Sequence, residues 1–368
     1  MSKPLRRYLE YQADRVEAVL AAHRAPGRVT GGSVGPRLIR FFLDPAPHIR
    51  FSAVRSLADD LALALRVSSL CVERSEEGVV LEFPNPDPHP VTFLKLFSEV
   101  EPLPVATALL GLTDKGTPLL ARLSSPEVAH VLISGTTGSG KSVLLRAVAL
   151  SLILSHHPGA LRLLCLDPKG RAFRSLEGAP HLLRPPVKGI AEAVEALHSL
   201  VRAMELRDQR GENAPRIVLL IDELADLILK EEAMTKGKRA MRPQIPDALT
   251  RLAQRGREAG IHIVAATQRP SSAILSGLLR ANFPLRLVGR VVSAEDARMA
   301  AGRGGTNAHL LEGRGDFLAV SGGVQAIRFQ VAFIGDAEIQ QAIASLPHAR
   351  PALPAPPGKI SILTSSSL

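Results

Sequence analysis

Residues Gly135-Thr136-Thr137-Gly138-Ser139-Gly140-Lys141-Ser142 fit the spacing G-x-x-x-x-G-K-[ST] at every fixed position. Glycines at 135, 138 and 140 allow the backbone to curl so that several N–H groups face inward, toward phosphate oxygens. A lysine at 141 reaches β- and γ-phosphates, and a hydroxyl at 142 suits Mg²⁺. The run Gly135 to Val143 is therefore the expected cradle for ATP. A second set of candidates lies downstream. The segment RIVLLIDELADLIL (216–229) is an apolar run ending in Asp222-Glu223. In a phosphate-loop hydrolase Asp222 holds Mg²⁺ with Ser142, and Glu223 polarises the attacking water. An acidic first helical turn is the alternative reading of that pair. Beside the glycine loop the hydrolytic reading prevails. Gln268 ends a further apolar run and is placed to touch the γ-phosphate and report its loss.

These groups need strand ends and helix starts to hold them. Val128–Ser134 reads as a strand running into the glycine loop, and Lys141–Leu154 as the buried helix leaving it. Further strands are expected at Leu161–Asp167, Arg216–Asp222, Ile261–Thr267 and Leu285–Val291, with helices at Ile190–Arg207, Pro246–Ala259 and Ser272–Leu279. Near-continuous Leu/Ile/Val in several strands predicts a parallel sheet covered on both faces. A strand–helix unit (161–208) between the glycine loop and Asp222, with an acid directly after that aspartate, points to the RecA-like branch of phosphate-loop enzymes. Phe317–Val320 and Ala326–Phe333 read as a closing antiparallel pair around Gly322-Gly323.

The first hundred residues read differently. Helical spacing over 4–24, a Pro/Gly-bearing turn, a strand at Leu38–Leu43, a helix at Ser52–Leu65 and two short β runs, Ser69–Glu73 and Val79–Phe83, describe a small α/β accessory domain. The expected division is an accessory domain (1–100), an α/β motor core (101–346) and a Pro/Ala/Ser-rich flexible tail (347–368).

Bulk composition narrows the partners. The chain has 368 residues, 45 Lys+Arg against 35 Asp+Glu, and a net charge of +10, which favours a polyanion. With no Trp and two Tyr, stacking of splayed single-stranded bases is a poor fit. Two cysteines, Cys71 and Cys165, are too few for a disulfide framework or a structural zinc, and read as buried thiols in the cytoplasm. The start, MSKPLRRYLEYQADR, has no apolar secretory core, and no run of about 18 apolar residues spans a bilayer. His156-His157 reads as a polar helix end.

Several stretches together resemble the motor of the FtsK/SpoIIIE family of DNA translocases. They are GTTGSGKS (135–142), LDPKG (166–170), GAPHLL (178–183), IDELADL (221–227), RLAQRGREAGIHIVAATQRP (251–270), GLLRANFPLRL (277–287) and GRGDFLAV (313–320). GPRLIRFFLDPAP (35–47) and SLADDLALAL (56–65) resemble the family's α subdomain. The resemblance implies an ATP-driven motor on double-stranded DNA, working as a homo-oligomeric ring, a hexamer. Arg257 matches the finger that completes a neighbour's ATP site, with a helix-end arginine capping carbonyls as the alternative. Positions 269, 280, 294 and 298 match channel-facing basic residues; Arg269, Arg280 and Arg298 keep the charge, while Ala294 departs from the family lysine. The family's membrane helices and orientation-reading winged helix have no counterpart, so a stand-alone motor of a plasmid, phage or mobile element is expected, with any membrane anchor or recruiting protein supplied by a partner. A protein-export ATPase and a DNA-packaging or conjugative coupling ATPase are the other readings. The basic loop at 230–242, carrying Lys230, Lys236, Lys238, Arg239 and Arg242, reads as a DNA- or subunit-facing insertion or as a solvated loop.

Overall fold

The computed structural model describes residues 3–75, 78–235, 244–270, 277–322, 325–346 and 361–363. They form two compact units, Met1–Pro90 with Asp114–Gly116, and Val91–Thr113 with Thr117–Leu368.

In the first unit α1 (Lys3–Ala22) precedes an antiparallel sheet of order β1-β2-β4-β3, built from β1 (Gly27–Val34), β2 (Leu38–Pro45), β3 (Cys71–Ser75) and β4 (Gly78–Pro84). Alternation along β2 buries Ile39, Phe41 and Leu43 on one face. They pack with Val16 and Leu20 of α1, and with Val54, Leu61 and Leu65 of α2 (Phe51–Ser56) and α3 (Ala58–Leu65). The helix expected over 52–65 is thus two helices. They part at Leu57, where the Ser56 hydroxyl donates to the Ala53 carbonyl and competes with the helical ladder. Residues 27–34, read as a turn for their glycines, are a strand. It pairs with β2 through an irregularity between Val29 and Gly31, and at Gly32 any Cβ would lie 2.5 Å from the Arg40 carbonyl oxygen.

The second unit begins with α4 (Phe93–Val100) and the antiparallel pair β5 (Thr107–Thr113) and β6 (Pro118–Arg122). The motor core follows as β7 (Val131–Ser134), α5 (Lys141–Ser155), β8 (Leu161–Leu166), α6 (Ile190–Arg210), β9 (Arg216–Ile221), α7 (Leu224–Thr235), α8 (Ile245–Arg255), β10 (Ile261–Thr267), α9 (Gly277–Ala281), β11 (Leu285–Gly289) and α10 (Ala294–Ala301). Next come β12 (Asp316–Ser321), β13 (Ile327–Val331), α11 (Asp336–Ala344) and β14 (Ser361–Leu363). Among the described residues the sheet order is β14-β6-β5-β13-β12-β11-β7-β10-β9-β8. The strands from β11 to β8 are parallel; β12, β13, β5 and β6 extend the sheet antiparallel.

Both faces of the parallel part are covered. Leu144, Leu145 and Val148 of α5 pack with Ile133, Leu163 and Leu220 on one side; Leu197 and Leu200 of α6 and Leu249 and Leu252 of α8 pack with Leu219, Ile221 and Ile263 on the other. This two-sided burial is why the strands are apolar at successive positions rather than at alternate ones. The RecA-like arrangement expected from the sequence is present, because β10 lies between the glycine-loop strand β7 and the carboxylate strand β9. The β12–β13 pair is antiparallel as read; Gly323 of its connection lies outside the described residues. The helix expected at Ser272–Leu279 is described only from Gly277, and most of 347–368 lies outside the described residues, apart from β14, which pairs in parallel with β6.

Candidate active site

The glycine loop leaves β7 and enters α5 with Gly140 as the residue before the helix, at φ 109°. A Cβ there would meet the Gly315 nitrogen at 2.9 Å, so the left-handed backbone and the crowding both demand glycine. The loop is pinned on two flanks. Thr136 N–H donates to the Arg290 carbonyl at 2.8 Å, while Arg314 and Gly315 N–H groups donate to the Gly138 and Ser139 carbonyls at 3.1 and 2.7 Å. Lys141 is buried and its ammonium donates to the Gly135 and Thr136 carbonyls at 2.7 and 2.9 Å. Burial holds its pKa below the ordinary lysine value, against the pull of Glu223 and Asp222.

The carboxylates arrive from β9. The Ser142 hydroxyl donates to Asp222 Oδ1 at 2.9 Å, joining the first turn of α5 to the end of β9. Burial raises the Asp222 pKa, and the Ser142 hydrogen bond opposes it. Glu223 is buried; its Oε1 accepts from the Thr267 hydroxyl at 3.1 Å and from the Gln268 N–H at 3.0 Å, both at the end of β10. Burial raises its pKa against those two bonds. The Thr137 hydroxyl donates to Gln268 Oε1 at 2.9 Å, tying the glycine loop to the same strand end. Lys141, Ser142, Asp222, Glu223 and Gln268 are thus assembled at the carboxyl ends of the parallel strands, where ligands of open α/β sheets bind. All of these but Glu223, which lies behind Thr267 and Gln268, border a cavity of about 530 Å³ lined by Thr137, Lys141, Ser142, Asp222 and Gln268 among others.

Arg257 is elsewhere. It lies between α8 and the start of β10, pairs with Glu258, and adds a small contribution to the lowered pKa values of Glu127, which its Ser125 hydrogen bond chiefly lowers, and of His130, which burial chiefly lowers. That is the amino end of the strands, opposite the cavity. Arg269 is exposed and directly follows Gln268. Arg280 of α9 is partly buried, with Nη1 3.9 Å from Met299 Sδ of α10. Arg298 and Ala294 are exposed on α10. In the basic insertion Lys230 donates to the Pro168 carbonyl at 3.4 Å, and the Glu231 carboxylate accepts from Gln244 and Ile245 N–H groups at the start of α8; Lys236, Lys238, Arg239 and Arg242 lie outside the described residues. His156 is structural: its Nε2 accepts from Ala106 N–H, and Nδ1 meets the Leu152 carbonyl.

Some residues in and behind the cavity wall escaped the sequence reading of roles. Asp167, fully buried, accepts N–H groups of Lys169, Gly170, Ala172 and Phe173 and so shapes the turn of LDPKG. That turn sets Lys169 Nζ 3.9 Å from Glu223 Oε2 and 3.4 Å from Asp226 Oδ2. Its position after a parallel strand was the available signal. Arg146, Arg314, Gln330 and Phe333 also line the cavity. They come from α5, the turn before β12, and the end of β13 and the residues just after it, and no local pattern announces that.

A phosphate loop on β7, with β10 inserted before the carboxylate strand and an acid directly after the aspartate, defines a RecA-like P-loop ATPase that binds nucleotide. The chain belongs to the FtsK/SpoIIIE family, whose model matches residues 103–210 and 206–272, while the FtsK alpha domain model matches residues 2–85. A DNA translocase FtsK of Sporosarcina ureae is 32% identical over 368 residues, covering 91% of this chain and 45% of that protein. The DNA translocase FtsK of Brucella suis biovar 1 is 33% identical over 392 residues, covering 92% and 44%. The chain therefore spans somewhat under half the length of these curated relatives. Among solved structures, the pCW3 conjugation coupling protein TcpA, monomer form with ATPgS, shares the fold with TM-score 0.62 and 21% identity, over 91% of this chain and 99% of that one. The cytoplasmic domain of the Thermomonospora curvata Type VII secretion ATPase EccC does so with TM-score 0.58 and 23% identity, over 73% and 36%. Among the described residues no helix is long and apolar enough to cross a membrane.

Proposed function

We propose that this chain is the motor of an ATP-dependent translocase on double-stranded DNA, assembled as a hexameric ring. The relatives named as DNA translocases support the substrate. The observation that carries the assembly is the separation of Arg257 from the cavity of its own chain, at opposite ends of β10. A guanidinium so placed serves the cavity of the next subunit in a head-to-tail ring.

Within each site Lys141 and the loop N–H groups hold β- and γ-phosphates. The hydroxyl of Ser142 and carboxylate of Asp222, 2.9 Å apart, are hard oxygen donors that fit Mg²⁺, an ion that keeps several waters and takes its remaining ligands from phosphates. When bound, Mg²⁺ supplies charge neutralisation at the β- and γ-oxygens. Glu223, its proton affinity raised by burial, takes the proton of the attacking water. Gln268 touches the γ-phosphate, and its next residue, Arg269, holds DNA phosphate together with Arg280 and Arg298. Loss of γ-phosphate is thereby felt one peptide bond from the DNA grip. The accessory unit (residues 1–90) and the motor unit are the two bodies that hydrolysis displaces. The cytoplasm is the compartment that supplies ATP and DNA together.

The test is hydrolysis of ATP by the full chain with and without duplex, alongside displacement of a third strand from a triplex substrate. Stimulation by duplex and ATP-dependent displacement are expected, both lost in Lys141→Ala while duplex binding at low salt survives. Turnover indifferent to duplex, with stimulation by an exported polypeptide instead, refutes it.

A further inference from the structure

Past Ser142 the cavity continues along a wall that the phosphate chemistry does not use. Val143 and Arg146 of α5 line it, with Gln330 and Val331 from the far end of β13 and Phe333 just past it. Phe333 is 49% exposed, yet its backbone is fixed: its N–H donates to the Val91 carbonyl, and its carbonyl accepts from Phe93 N–H at 2.9 Å. A phenyl ring held open on a rigid backbone forgoes apolar burial and offers a flat face to the cavity. Val331, two residues earlier, borders the same cavity, as the extended backbone's alternation requires. Arg146 lies one helical turn past Ser142, about 6 Å along the axis. Its side chain is only 15% exposed, and an ion pair with Asp336 at the start of α11 anchors its Nη1. Gln330 is likewise fixed, its amide donating to the Arg314 carbonyl at 3.1 Å. This wall belongs to the same cavity as Lys141 and Ser142, within which the rest of a nucleotide held there by its phosphates has to lie.

We propose that Phe333, flanked by Arg146 and Val143, is the platform on which the nucleotide base stacks. The inference rests on the reading of the cavity as an ATP site and adds to it the group that recognises a heterocycle rather than phosphate. An aromatic face and a planar cation are the partners that a flat purine takes.

The chain contains no Trp, so Phe333→Trp installs its sole indole fluorophore at the platform. ADP quenches or shifts that emission saturably, whereas tripolyphosphate, which fills only the phosphate loop, leaves it unchanged. In parallel, Phe333→Ala raises KM for ATP about tenfold with kcat near native, since stacking is made equally in ground and transition states. An unchanged emission while calorimetry registers ADP binding to the Trp variant overturns the proposal. So does a KM within about twofold of native in a folded Phe333→Ala chain. Tripolyphosphate binding to the native chain, followed by calorimetry, separates the two levels: where it persists, only the base platform is at stake. Its absence together with absent ADP binding takes down the ATP site and the platform with it.

Discussion

Mixing two inactive variants probes the seam between subunits directly. Lys141→Ala removes the ammonium that its own loop carbonyls hold at 2.7 and 2.9 Å, and with it nucleotide turnover in that chain's cavity. Arg257→Ala leaves the cavity intact and removes the guanidinium proposed as the finger. Between Arg257 and Gln268 runs β10, 7 residues long, which at about 3.3 Å per residue spans about 23 Å, several times the reach of an arginine side chain. Arg257 therefore acts on a neighbour or on nothing. Loss of such a finger lowers turnover by roughly 10³–10⁵ in other P-loop enzymes. Each variant alone is thus expected to be inert with duplex present. In a 1:1 mixture, each seam needs its cavity from the Arg257→Ala chain and its finger from the Lys141→Ala chain. Random order in a head-to-tail ring provides that at about a quarter of seams. Phosphate release measured against the mixing ratio is expected to peak near equal amounts, at about a quarter of the native rate if seams work independently. Two folded, mixed variants with no recovered turnover refute the trans placement, as does an Arg257→Ala chain that hydrolyses ATP at the native rate alone.

Other outcomes follow from the same geometry. Burial raises Asp222 and Glu223 and lowers Lys141 in the free protein, so the pH profile of kcat/KM is narrowed from both sides. Its acid limb falls at a pH above the ordinary carboxylate range, because the raised carboxyls take up protons earlier as pH drops; its basic limb falls below the ordinary lysine range. An acid limb at the ordinary carboxylate value counters this. Arg269→Ala and Arg298→Ala each reduce the slope of log K against log salt for a duplex by about one, without altering preference among sequences. Fluorescence anisotropy at several salt concentrations reads it, and an unchanged slope removes those side chains from the DNA face. Asp167→Ala strands the buried N–H donors of the LDPKG turn and lowers stability by about 2–5 kcal/mol in urea unfolding; an unchanged midpoint contradicts the role given to that turn.

The parallel core was legible because its strands are buried on both faces and so read as short, nearly unbroken apolar runs. Ile261–Thr267 has the bounds read from the sequence, and Lys141–Ser155 extends the expected helix by one residue. The glycine loop and Asp222-Glu223 carried their own spacing, and the structure brings them together through the Ser142–Asp222 hydrogen bond. The periphery was opaque for identifiable reasons. Thr107–Thr113 and Pro118–Arg122 are short and lack a clean two-residue alternation, since β5 is buried at nearly every position. Leu224–Thr235 begins two residues after the aspartate, so its apolar start merged with the preceding strand. Glycines at 31 and 32 disguised a strand as a turn. Arg314 gave no sign of its place, because the Gly138 carbonyl that receives its N–H lies 176 positions earlier in the chain.

That distance matters while the polypeptide is being made. The loop around Thr136 waits for the Arg290 carbonyl, and the carbonyls of Gly138 and Ser139 wait for Arg314 and Gly315. A ribosome-bound chain that has emerged only through β10 already owns every consensus residue of the loop, yet neither of its braces. The phosphate loop thus acquires its braces only after β11 and the turn before β12 have been made.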